Sequence, residues 1–235
     1  MKITFLGTSH GVPEFNRQCT CTMIEVDEKI YFIDMGIMPV QELIKRGKTP
    51  DDVALAIFTH CHGDHTNGLV SFWDLCSWRF KEADPQIIMP RQEHFEIIQA
   101  WIKANSIEPR PLRYGVVREG VCFEDEKVKI TAMPNQHIAD SFSYLFEAEG
   151  KRLLFTGDLK NPKVDFPAVS GKLDLLVCES AHFNTCDYLD VIKDMDIAKI
   201  MVHHISKRFN DDAERFHTLV KVDSHTASDG EEIII

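Results

Sequence analysis

The stretch "LAIFTHCHGDHTNG" constrains this chain more than any other. A continuous apolar strand over residues 54–58 runs straight into His60, His62, Asp64 and His65, four ligand-type residues within six positions. A strand this apolar is a buried one, so the loop that follows it emerges at the rim of a sheet. On a tight loop, residues two apart can turn their side chains to the same side, so His60 and His62 can share one metal ion. Asp64 and His65, further along the turn, can reach a second ion a few ångströms away. A histidine-rich surface loop, or polar residues capping a helix around Asp64, would produce similar letters. Four ligand types directly after an apolar strand make that reading poor.

One loop cannot fill two coordination spheres. The candidates for the remaining positions each follow an apolar strand: His137 in "MPNQHIADSFSY", Asp158 in "LLFTGDLK", and His203 or His204 in "IMVHHISKRF". Taken singly, His137 or Asp158 is more often a satisfied polar residue than a ligand. Taken together they can lie on the same rim, and the carboxylate of Asp158 can bridge two cations.

The rest of the chain reads as strands and helices in alternation. Short strands are predicted at residues 2–6, 20–26, 29–34, 54–58 and 87–89, with helices at Pro39–Lys45 and Gln92–Ala104. Leu69, Phe72, Trp73, Leu75, Cys76 and Phe80 recur at helical spacing after the histidine loop, and with Trp78 they read as helix packing. A second run of strands is predicted at 116–117, 121–123, 128–133, 143–148 and 152–156, antiparallel in character. Later strands fall at 173–178, 200–203 and 233–235, with helices at 186–195 and 211–217. Two strand-rich halves with helices between them point to an α/β chain folded as a four-layer αββα sandwich, one domain over residues 1–235. No linker of low complexity divides it.

Composition excludes some functions. A net charge of −11 argues against a broad basic face for gripping nucleic acid. It leaves room for a small anionic ligand, because a metal ion supplies local positive charge. No apolar run approaches the ~18 residues of a membrane span, and "MKITFLGTSHG" shows no secretory apolar core. Seven scattered cysteines without an export signal suggest reduced thiols and a cytoplasmic location. Cys19 and Cys21 form a CxC pair with no further thiols close by, and read as structural. His225 falls in a polar turn before the last strand.

"HCHGDH" resembles the HxHxDH signature of the metallo-β-lactamase superfamily, within which the chain is most similar to ribonuclease Z and its relatives. "FLGTSHGVPEFNR" resembles their opening FLGTxxGxPxxxR segment, "FIDMG" their DxG strand end and "HISKRF" their HFSxRY motif. The resemblance implies that His60, His62, His137 and Asp158 hold one metal, and Asp64, His65, Asp158 and His204 the other. His204 aligns with the family ligand because it precedes Ile205-Ser206-Lys207-Arg208, and alternation along a strand agrees. Two divalent cations are implied, most naturally Zn2+, with Mn2+ or Fe allowed by the ligand set. His62 stands where iron redox members carry Glu, and Asp158 where an antibiotic-hydrolysing subtype carries Cys.

Two cations sharing a hydroxide provide a nucleophile at neutral pH and a clamp on a phosphoryl or carbonyl oxygen, with Asp64 as general base. The implied activity is that of a metal-dependent phosphodiesterase acting on a small or cyclic phosphodiester. A lactone or thioester hydrolase using the same metals and a non-catalytic metal-binding sensor are the alternatives. Transfer-RNA 3′ processing is disfavoured, because ribonuclease Z proper carries a long tRNA-gripping arm between its third histidine motif and its bridging aspartate. Here twenty residues separate His137 from Asp158. The family's proton-donating His-Ser-Thr segment is also missing; "CESAHFNTCDYL" keeps Glu179 and offers His182 as the acid in its place. His10, in a Gly-flanked loop, and Arg208 are candidates for substrate contact, while Asp34 and Glu179 are candidates to support the ligands from behind. The implied partner is a small-molecule phosphodiester, with no strong nucleic-acid or membrane binding and a homodimer as an option taken from relatives.

Overall fold

The computed structural model describes residues 1–235. Six strands build one sheet in chain order: β1 (Lys2–Gly7), β2 (Cys21–Val26), β3 (Lys29–Met35), β4 (Val53–Ile57), β5 (Gln86–Met89) and β6 (Arg113–Val116). Seven more build a second sheet, again in chain order: β7 (Gly120–Glu124), β8 (Val128–Pro134), β9 (Phe142–Ala148), β10 (Lys151–Phe155), β11 (Leu175–Ser180), β12 (Lys199–Ile205) and β13 (Asp223–Thr226). The last strand, β14 (Glu231–Ile234), returns to the first sheet and pairs antiparallel with β1.

Alternation along the strands sorts their side chains into three apolar layers. In β4, Leu55 and Ile57 enter the core between the sheets, while Ala56 and the following Phe58 face the helices. Between the sheets, Phe5, Tyr31 and Ile57 pack with Tyr144, Phe155 and Val177. Outside the first sheet lie α1 (Pro39–Lys45), α2 (Gly63–Trp78) and α3 (Gln92–Ala104), buried through Val40, Leu69, Phe72, Trp73 and Phe95. After the single turn α4 (Pro162–Asp165), α5 (Tyr188–Ile192) and α6 (Asn210–Leu219) cover the second sheet through Tyr188, Ile192 and Phe216. The layers run helix, sheet, sheet, helix, as the two strand-rich halves require.

Three local expectations are corrected. The strand predicted at 116–117 starts earlier and joins the first sheet, parallel to β5, with the Tyr114 ring 4.5 Å from Phe95 of α3. The helix predicted at 186–195 shrinks to a 3-10 turn and α5, because the chain must leave it to bridge Ile197 with Leu173 ahead of β12. His225 lies in β13, opposite Met201 of β12, rather than in a turn. That edge strand, Asp-Ser-His-Thr, has no apolar alternation to announce it. It is held instead by His217, whose two ring nitrogens reach the hydroxyls of Ser224 and Thr226 at 3.0 Å.

The two sheets are stitched beside the histidine loop. Tyr144 donates its hydroxyl hydrogen to the Phe58 carbonyl at 2.6 Å, and the Phe142 amide donates to the Thr59 carbonyl at 2.9 Å. On the other flank, the Ile205 amide donates to the Thr8 carbonyl at 2.9 Å. Gly68 lets α2 press its backbone onto the end of β3: a Cβ there would stand 1.7 Å from the Ile37 carbonyl oxygen. Gly68→Ala should therefore cost about 3 kcal/mol in urea unfolding, the upper range for overpacking, since backbone atoms cannot rotate away. Gly115→Ala, with nothing within 4 Å of the added carbon, should leave the midpoint nearly unchanged.

Candidate metal centre

Every candidate ligand sits at or just past the C-terminal end of a strand, on one rim. β4 delivers His60, and the loop into α2 carries His62, with Asp64 and His65 in the first helical turn. β8 leads to His137, β10 to Asp158, and β12 carries His204 near its end. Gly157 makes the Asp158 turn feasible. Its φ of +60° suits glycine, and a Cβ there would stand 2.9 Å from the Phe142 carbonyl oxygen.

The donor atoms converge in two groups. In the first, His60 Nε2 lies 2.9 Å from His62 Nδ1, and His137 Nε2 lies 3.3 Å from the same His62 nitrogen. Asp158 Oδ2 is 3.7 Å from both His60 Nε2 and His137 Nε2. In the second, His65 Nε2 is 3.2 Å from His204 Nε2, and Asp64 Oδ2 is 3.4 Å and 3.3 Å from these two nitrogens. Asp158 reaches this group as well, at 3.5 Å from His65 Nε2 and 3.5 Å from His204 Nε2. Its carboxylate is thus common to both groups. Ligands arranged tetrahedrally around a zinc ion at ~2.0–2.1 Å stand ~3.3 Å from one another, and the observed separations bracket that value. The donor set fits divalent cations.

Protonation states favour the same conclusion. Burial pushes His60 down to about 2 and His137 down to about 4, so both present neutral rings with a lone pair. Burial opposes ionisation of Asp64, but hydrogen bonds from His204 and His65 hold it well below the usual carboxylate range. Asp158, also against its burial, is held low by His204, His65 and His60. His65 is driven up against its own burial by Asp158 and Asp34, which shows that this corner of the site favours positive charge.

Behind the ligands, Asp34 is fully engaged. Its Oδ1 accepts the Thr59 amide at 2.8 Å, and its Oδ2 accepts both the Thr59 hydroxyl and His65 Nδ1–H at 2.8 Å. The Thr59 oxygen in turn accepts His60 Nδ1–H at 3.1 Å. One buried carboxylate therefore orients two histidines so that, with cations in place of the Nε2 protons, both Nε2 lone pairs would face the site. Thr59 escapes sequence reasoning, since a threonine before a histidine carries no distinctive signal.

His204 owes its position to a bulge. Glu179 pairs with His203 and Ser180 with Ile205, so His204 is the extra residue, at φ +47°. Simple alternation along the strand is therefore not what turns it inward. Asp34, at φ +60°, is a second non-glycine residue held in the left-handed region at this rim.

Glu179 is completely buried and accepts the amides of Leu159, Ala181 and His182 at 2.7, 3.0 and 3.3 Å. It also accepts His182 Nδ1–H at 2.9 Å. The His182 ring stands at the open edge of the cluster, with Nδ1 3.9 Å from Asp158 and its ring centre 4.6 Å from that of His137. Burial lowers its pKa, but the Glu179 carboxylate outweighs this and raises it to about 9. His10 lies on the loop after β1, its amide donating to the Ile205 carbonyl at 3.3 Å and its Nε2 3.8 Å from Glu14. Arg208 is on a solvent-facing turn with its guanidinium 5.1 Å over the Phe209 ring. The structure thus gathers the seven candidate ligands, Asp34, Glu179 and His182 into one network, brings His10 to its border and leaves Arg208 outside.

Comparison with known proteins identifies the family and the fold. The family model described as Anti-Pycsar protein Apyc1 matches residues 1–177. The ribonuclease Z of Methanothermobacter thermautotrophicus is 30% identical over 156 residues, 66% of this chain and 50% of that protein. The chain spans about half the length of the first curated relatives it matches. The metallo-β-lactamase fold protein YhfI from Bacillus subtilis superposes with a TM-score of 0.76 at 15% identity, covering 99% of this chain and 98% of its own. Human short-form tRNase Z superposes at 0.72 and 19% identity, covering 100% and 99%. The αββα sandwich is the metallo-β-lactamase fold.

Asp34→Asn removes one carboxylate charge and the acceptor pattern that orients His65. It should weaken zinc binding about 10–100-fold in a competition titration against a chromophoric chelator. An unchanged affinity would refute the orienting role.

Proposed function

The chain belongs to the Anti-Pycsar protein Apyc1 family, and from that premise we propose that it is a dinuclear metal-dependent hydrolase of a small linear or cyclic phosphodiester. The observation that carries this reading is Asp158, whose carboxylate reaches both donor groups at 3.5–3.7 Å. Five imidazoles and two carboxylates without a thiolate suit Zn2+, with Mn2+ or Fe also compatible. When bound, two such cations would supply Lewis acidity to a phosphoryl oxygen and a nucleophile at neutral pH.

The chain's own residues have divided tasks. Asp64, ionised and bonded to His65 and His204, accepts the proton of the attacking water. His182, protonated at neutral pH and fixed through Nδ1 by Glu179, keeps Nε2–H for the leaving alkoxide. Phosphodiester chemistry is supported by the similarity to ribonuclease Z. A small substrate is supported by the span between His137 and Asp158, which β9 and β10 largely occupy, and by the net charge of −11. We place the protein in the cytoplasm on its seven free cysteines; no helix is long and apolar enough to cross a membrane. Membrane and strong nucleic-acid partners are not part of this reading, and a homodimer is compatible with it. His10, at the border of the centre, remains the proposed contact for the substrate's polar groups; Arg208, over the Phe209 ring on its solvent-facing turn, does not.

Assays of zinc-loaded protein on bis-p-nitrophenyl phosphate, cyclic nucleotides and lactones discriminate the substrate classes. Phosphodiester turnover is expected, and lactone turnover alone would sink the proposal. His62→Ala should lower the bound metal from two ions to one by elemental analysis. His182→Ala should reduce kcat about 10²–10⁴-fold for a diester with an alkoxide leaving group. It should barely affect p-nitrophenolate release, which needs no proton; equal losses on both would argue against the acid role.

A further inference from the structure

We propose that Asp165 is a positioning residue for the first donor group: its carboxylate clips the loop carrying His137 to the segment that follows Asp158. This rests on the dinuclear reading and adds how two of the candidate ligands keep their spacing before a cation binds.

His137 differs from His60 in its support. The His60 segment continues the ladder of β4, with the Phe58 amide on the Ile88 carbonyl at 3.2 Å. His137 instead sits within the irregular stretch Asn135–Ser141 between β8 and β9. That stretch closes at its base through the Asn135 amide on the Ser141 carbonyl at 3.0 Å. Arg91 holds its outer end, through Asp140 at 2.9 Å and the Ala139 carbonyl at 3.3 Å. The inner side, next to the ligand, rests on Asp165, which is 9% exposed. Asp165 Oδ2 accepts the Gln136 amide at 2.8 Å and the Lys160 amide at 2.9 Å, and its Oδ1 accepts the Asn161 amide at 3.1 Å. Gln136 immediately precedes His137, and Lys160 lies two positions past Asp158. One oxygen atom thus holds both segments, and they cannot part without breaking a charge-assisted hydrogen bond. His137 Nε2 and Asp158 Oδ2, 3.7 Å apart, are carried by the two segments so joined.

The clip has a fixed base. Asp165 ends the single turn α4, which Asn161 caps by accepting the Lys163 amide at 3.0 Å, with Pro162 at the start of the turn. The Val164 and Asp165 amides both donate back to the Asn161 carbonyl, at 2.8 and 3.1 Å. The turn is tied to the layer beside it through Asp187, which accepts from Asn161 Nδ2 at 3.3 Å and pairs with Lys163 at 3.1 Å. Three consecutive amides after Asp158 are therefore held by carboxylates, Leu159 by Glu179 and the next two by Asp165. Glu179 keeps Asp158 in place without help from Asp165, whereas the His137 side has the Gln136 bond to lose. Ligands arranged in advance spare a cation the cost of ordering them. Loss of the clip should fall on the first donor group, which contains His137, and spare the second.

The test is competition titration of zinc against a chromophoric chelator in two backgrounds: His204→Ala, which leaves the first donor group complete, and His62→Ala, which leaves the second. Asp165→Ala should weaken binding about 10–100-fold in the His204→Ala protein, the range for a partner that orients ligands. It should leave the affinity of the His62→Ala protein unchanged. Asp165→Asn keeps one oxygen for the Gln136 and Lys160 amides without the charge, and should recover most of the loss. Equal losses in the two backgrounds, no loss in the first, or an Asp165→Asn protein as weak as Asp165→Ala overturns the inference. Hydrogen exchange on the zinc-free wild type needs no variant. The Gln136 and Lys160 amides, on exposed residues, should be protected, and free exchange at both overturns the clip. A zinc content of one ion in the wild type overturns the dinuclear reading, while amide exchange still decides the role of Asp165.

Discussion

The whole centre hangs on one buried carboxylate. Asp34, at the end of β3 and in a left-handed conformation, takes the amide and hydroxyl of Thr59 and the Nδ1–H of His65. Through Thr59 it also fixes His60. A carboxylate withdrawn from water is costly unless its acceptor sites are filled, and here they are filled by the groups whose orientation the site requires. The first sheet, the histidine loop and the start of α2 are locked together by that exchange.

The second sheet contributes the rest because its strand ends meet the same rim. Tyr144 and Phe142 tie it to the histidine loop, and Ile205 ties it to the loop after β1. His137, Asp158 and His204 then arrive from three strand ends of that sheet. Asp158 is nearly inaccessible to solvent and surrounded by imidazoles from both sheets, which keeps it ionised in spite of burial. The centre belongs to the seam between the sheets, so sheet packing and ligand geometry cannot vary independently.

The same seam shapes the chemistry. Glu179, entirely buried at the end of β11, uses its carboxylate on three amides and His182, and so positions a protonated ring at the open edge. In the proposed reading, with Asp64 as base on one side of the shared carboxylate and His182 as acid on the other, one proton would leave the water and another would be delivered to the departing oxygen.

Much of this was legible in the residues. HxHxDH after an apolar strand, together with His137 and Asp158 after other strands, named six of the candidate ligands, because strand ends are where such side chains can meet; the choice of His204 over His203 came from the resemblance to the family. Periodicity located nearly all the strands, since burial on both faces makes them continuous apolar runs. The polar edge strand β13 and the parallel placement of β6 left no such trace, because both follow from neighbours distant in sequence. Thr59, the bulge that turns His204 inward and the reach of Asp165 to the His137 loop were decided only by tertiary structure. Each is a matter of where one segment's backbone meets another, and neither periodicity nor residue type encodes that.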